Sequence, residues 1–206
     1  MSLTTKRHQR PKPSGAGGVA GNEQLTAITG IVLLIGFVIE GVTILSLQHL
    51  LTLHFFLGLL LIGPVVLKIG STVYRIARYY SGSAPYVRRG PPPVFLRLLG
   101  PFVIVTSLAV LGTGVMLALT GPGGSSWLFL HKASFVLWFG VMTLHVLAHV
   151  WRLPRILRSP DGGSSVRLPG GTTRWLVVAA SLACGLAIAL LAVHLAGPWE
   201  GARFGH

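Results

Sequence analysis

Histidines at 54, 131, 145 and 149, a lysine at 68 and a glutamate at 40 stand inside stretches that are otherwise apolar. Nothing in lipid rewards an imidazole, an ammonium or a carboxylate, so such groups face a bundle interior or mark a site. Their spacing is informative. A helix advances about 100° per residue, so His131 and His145 lie roughly 40° apart around the axis and about 21 Å apart along it. His131 and His149 align after five full turns, and all three histidines occupy one stripe. His54 and Lys68 repeat the spacing of His131 and His145 and share a face, whereas His49 lies about 140° from His54 and reads as interfacial. Two imidazoles at one depth on facing helices can clamp a metal, and the iron of a planar haem suits such a pair. The competing assignment is a plain hydrogen bond between helices, common for buried polar side chains in membrane bundles.

The elements that must position these residues follow from hydropathy. The 206-residue chain is 51% hydrophobic and 10% charged, with a mean hydropathy of +0.71. Five apolar runs stand out: Leu25–Leu47, Leu50–Tyr74, Val94–Thr120, Trp127–Trp151 and Trp175–Ala196. Each is near the ~20 residues a helix needs to cross a bilayer, and in lipid the backbone satisfies its own hydrogen bonds only as helices here. The expected fold is an all-α, multi-pass transmembrane bundle of five spans. The net charge of +13 is unevenly placed. Fourteen of the Lys and Arg residues lie before the first span or in the loops after the second and fourth, against Lys132 and Arg203 on the other side. That bias predicts the N-terminus inside and the C-terminus outside. The basicity is therefore topological, and no nucleic-acid partner is implied.

The domain reading places a disordered basic tail at 1–24, a four-helix core at 25–152, a cytoplasmic loop at 153–174, and the fifth span with a short outer tail at 175–206. The Pro- and Gly-rich stretches SGSAPYVRRGPPP and SPDGGSSVRLPGG read as links between spans. The first run is too long for a removable signal peptide.

Spans two and four run in the same direction, with His54 and His131 each in about the first two turns. Aligning these two brings Lys68 level with His145, and Thr72 level with His149. A lysine ligates iron only as the neutral amine; alternatively Lys68 snorkels toward the interface near Arg75. His145 then holds an inner haem with Lys68, holds one alone, or binds a quinone head group. His149 serves a haem propionate or sits in the interfacial belt with Trp151 and Arg152. Lys132 beside His131 is a propionate partner or an interfacial cation. Glu40, the sole carboxylate within a span, lies at a depth close to His54. It takes a proton from a quinol, counters His54 or Lys132, or hydrogen-bonds a neighbouring helix.

With these residues in place, the first four spans resemble the di-haem core of membrane b-type cytochromes, in which the second and fourth helices each carry two histidine ligands about fourteen residues apart. His131 and His145 match the pattern on the fourth helix and His54 the outer position on the second, while Lys68 stands where the second histidine is expected. Gly100 and Gly114 in the third span match glycines that let haem edges approach the backbone. The stretches LKIGSTVYRIARYYSG, RRGPPP and LHKASFVLW are also similar to a group of uncharacterised actinobacterial membrane proteins. The resemblance covers residues 25–152. It implies one or two haems b, quinone as a substrate, a redox partner protein, and electron transport as a non-catalytic oxidoreductase subunit in the plasma membrane of a high-GC Gram-positive bacterium.

Other chemistries find few parts. HVLAH at 145–149 has the spacing of a zinc pair but carries Val146 where a zincin needs glutamate. The single Cys184 forms no internal disulfide, and no Cys-x-x-Cys-His motif provides for covalent haem. Four acidic residues leave little for hydrolytic acid–base catalysis. Two alternatives stand beside the cytochrome reading: a cofactor-free membrane scaffold or anchor subunit, and a proton or metal-ion permease using Glu40, Lys68 and the histidines.

Overall fold

A computed structural model describes residues 18–91, 93–123, 125–150 and 170–202. Five helices in it are long and apolar enough to cross a membrane. The first, α1 (Val19–Leu45), is separated from α2 (Leu47–Tyr80) by Ser46 alone. A short α3 (Ala84–Arg89) follows, then α4 (Val94–Thr120) and α5 (Ser125–Val150). The last span, α6 (Gly171–Ala192), continues through a 3-10 turn (Val193–Ala196) into α7 (Gly197–Ala202).

The helix boundaries differ from the sequence reading in three places, and the short tail expected after the fifth span is partly helical. Residues 19–24, expected in the disordered tail, form the first turns of α1. SGSAPYVRRGPPP is not all loop: Pro85 in the first turn suits a helix start, whose N–H groups lack partners anyway, and Tyr86 packs edge-on against Tyr74. Residues 171–174 of the expected cytoplasmic loop belong to α6, and the expected outer tail is helical through 202. Residues 1–17 of the basic tail, residues 151–169 and Arg203 lie outside the described residues.

Alternating connections make α1 and α2 an antiparallel pair, and α4 and α5 another. Lipid tails are as apolar as leucine, so these helices associate through close packing and polar contacts rather than hydrophobic burial. Side chains such as Ile31, Val38, Leu137 and Leu191 accordingly point outward. The interior is held by Leu33, Leu61 and Val65, with Phe37, Ile69 and Leu111 against them. Between α4 and α5, the buried Trp138 indole N–H donates to Ser107 Oγ at 3.1 Å, and Thr113 and Ser134 hydroxyls meet at 3.0 Å. Trp138 also receives Phe37 edge-on, ring centres 4.8 Å apart, which ties α5 to α1.

The fifth span packs along α2. Glycines set that crossing: a Cβ on Gly63 would collide with the Ser181 carbonyl, and one on Gly185 with the Leu60 carbonyl. Pro64 lies next to Gly63 inside α2. Lacking an N–H, it leaves Leu60 without its usual i+4 donor, and neighbouring helices commonly take up such freed carbonyls in membrane bundles. With α1 and α6 flanking it closely, α2 faces α5 across the bundle without close backbone packing between those two.

Candidate functional site

His54 and His131 meet in the space between α2 and α5. Their ring centres are 6.4 Å apart and the planes are inclined at 71°. Both side chains are half-buried. The expected register of the second and fourth spans is therefore present in the fold.

Each ring is held by its Nδ1. On the α2 side, Nδ1 of His54 lies 3.0 Å from Thr43 Oγ1 and 2.9 Å from Glu40 Oε1. The Thr43 hydroxyl gives its one proton to the Glu40 carbonyl at 2.6 Å, so it can only accept from the ring. A carboxylate likewise only accepts. Both neighbours can accept from Nδ1 of His54, so that nitrogen is the one that donates. On the α5 side, Nδ1 of His131 lies 3.3 Å from Thr113 Oγ1, whose proton goes to the Ala109 carbonyl at 2.7 Å. The His131 ring also donates to the Val110 backbone carbonyl.

A first-row metal bonded at about 2 Å to two imidazole nitrogens places the ring centres about 6 Å apart, close to the separation seen here. Ligating histidines characteristically donate their second N–H to a carboxylate or other oxygen. Among the described residues no three His, Cys, Asp or Glu side chains converge, so a bare ion would find no protein cage. His54 and His131 are the residues that would hold a group bringing its own further ligands. Gly114 adds to the fit, since a Cβ there would stand 3.0 Å from Cε1 of His131. Gly100, the other glycine singled out, has open space at its Cβ position.

The inner set is assembled differently. Lys68 Nζ donates to the Thr26 carbonyl of α1 at 2.6 Å. Lys68 is half-buried and bonded within the bundle, and nearer the start of α1 Glu23 lies 3.5 Å from Arg75 and 3.0 Å from Arg89. His145 is half-buried, and its Nδ1 is shielded from solvent without a hydrogen-bond partner. His149 is exposed and donates from Nδ1 to the His145 carbonyl at 2.9 Å, with the two rings 4.4 Å apart. Lys132 and His49 are exposed.

Sequence reasoning named the two facing histidines and Glu40 but missed Thr43 and Thr113. The available signal was position: Thr43 lies three residues after Glu40, on the same helical face, and Thr113 precedes Gly114. Threonine in a membrane helix ordinarily satisfies itself on the preceding turn, which hides such a role. Comparison of the chain with protein-family models, curated proteins and solved structures finds no match.

Proposed function

We propose that this chain is an integral membrane b-type cytochrome that passes electrons between the quinone pool and a redox partner protein. The observation that carries the reading is the 6.4 Å separation of the His54 and His131 rings, each anchored through Nδ1. One haem b held between them would supply the one-electron couple, while the protein supplies position and electrostatics. Thr43 and Glu40 orient His54, Thr113 orients His131, and Gly114 leaves room beside the ring. Lys132 stands next to His131 on the exposed surface, a suitable counter-charge for a propionate. The arginine-rich loops favour a plasma membrane topology with the N-terminus in the cytoplasm, which puts the histidine pair near the outer face. Because Lys68 is bound back to α1, one haem is favoured over two, and His145 is left as a binding group for a quinone head or as a remnant of a second site.

A second reading draws on the same contacts. His54 joins α2 to α1 and His131 joins α5 to α4, which is what a cofactor-free scaffold would use histidine for. The reduced-minus-oxidised spectrum of the purified protein, with haem quantified per chain, decides between them. The cytochrome reading expects one low-spin haem, abolished by His54→Ala and by His131→Ala. A colourless protein after expression with ample haem, or a normal spectrum in both variants, would give the case to the scaffold.

A further inference from the structure

The two facing histidines are held unequally. His131 has a neutral hydroxyl at 3.3 Å and the Val110 backbone carbonyl, whereas His54 has a hydroxyl at 3.0 Å and a carboxylate oxygen at 2.9 Å. The Glu40 side chain is only 15% exposed, and its second oxygen, Oε2, is shielded from solvent with no partner. Keeping a carboxylate in a span costs free energy, and an unsatisfied oxygen adds to that cost. A hydrogen bond from the ring to Thr43 alone would already orient it, so the carboxylate does something more. Gly58 lies alongside it, where a Cβ would stand 3.4 Å from Oε1.

We propose that Glu40 is a positioning residue that lowers the reduction potential of the site, its carboxylate making His54 a stronger donor ligand than His131. The inference rests on the haem reading of those two histidines. An acceptor on the far nitrogen of a ligating imidazole raises the basicity of the ligating one. An anion in a low-dielectric interior also stabilises the more positive member of a redox pair, and here that member is the ferric state. Both effects favour oxidation, and no carboxylate acts on His131, whose partners are the neutral Thr113 hydroxyl and the Val110 backbone carbonyl.

The test is potentiometric titration of the purified, haem-loaded protein beside Glu40→Gln, which keeps size and an acceptor but removes the charge. The expected result is equal haem content, a low-spin spectrum in both, and a midpoint raised in the variant by about 60 mV, a tenfold change in the one-electron equilibrium. Glu40→Asp, with the charge retained but set back, should fall between them. Equal midpoints in two haem-loaded proteins overturn the role of Glu40 and leave the haem reading standing. A wild-type protein without haem removes both. Should Glu40→Gln fail to accumulate, the redox-induced infrared difference spectrum of wild type labelled with 13C-glutamate decides the matter. A carboxylate stretch that moves on reduction supports the proposal, and its absence overturns it.

Discussion

Lys68 on α2 reaches across to α1 and donates to the carbonyl oxygen of Thr26 at 2.6 Å. Around that contact the Thr26 hydroxyl donates to Ser71 Oγ at 3.0 Å, and the Asn22 amide to the Ser71 carbonyl at 3.1 Å. The lysine belongs to a polar clasp between the first two helices, at the end of the bundle opposite the His54–His131 pair. This arrangement separates the two ends in kind: one joins helices through backbone carbonyls, the other presents paired imidazoles.

Lys68→Ala should therefore leave haem content and the low-spin spectrum unchanged. Its cost should appear in stability, about 1–2 kcal/mol for a lost charged hydrogen bond to a carbonyl, read as a lower unfolding midpoint in detergent. A fall in haem per chain by half would instead make Lys68 a ligand to a second iron.

The glycines of α4 make a sharper pair. A Cβ at 114 would stand 3.0 Å from His131 Cε1, while at 100 it would meet nothing within 4 Å. Gly114→Leu should displace the ring, cost about 1–3 kcal/mol as an overpacked core does, and drop haem occupancy severalfold. Gly100→Leu should leave the spectrum alone. Equal behaviour of the two variants in haem quantification would show that the space beside His131 is not part of the site.

The five spans were legible because uninterrupted apolar runs near 20 residues leave little alternative to a membrane helix. The pairing of His54 with His131 was legible because helical angle and depth are arithmetic once both spans run in the same direction. The direction of Lys68 was not decided by spacing: a flexible four-carbon stem reaches either neighbour, and only the position of Thr26 settles it. The place of α6 was likewise hidden. Its sequence is apolar all round, so no stripe points to α2, and the meeting of Gly185 with Leu60 depends on a crossing that one sequence does not encode. The short α3 was masked by the proline and glycine around it, although Ser83 followed two residues later by a proline marks a helix start.

That glycine crossing is itself testable. Gly63→Val and Gly185→Val should each push α6 from α2, because the atoms in the way are backbone carbonyls of Ser181 and Leu60 rather than movable side-chain ends. A loss of about 3 kcal/mol or more, at the upper end of overpacking costs, is expected for either, measured by thermal unfolding in detergent. The two substitutions should be strongly non-additive, since both break one interface. Additive losses would mean that the helices are not packed on each other there.

The asymmetry between the two histidine partners supplies the last prediction. Thr113→Val preserves shape but removes the acceptor at Nδ1 of His131 and the hydroxyl contact to Ser134. Only a neutral group is lost, so the midpoint should rise by less than for Glu40→Gln, by roughly a third of a tenfold step or about 20 mV. Because the two partners act on different ligands and share no contact, the double variant should show the sum of the two shifts. Potentiometric titration of the four proteins measures this directly. A larger shift from Thr113→Val than from Glu40→Gln would mean that ring orientation, rather than the carboxylate charge, governs the potential of the site.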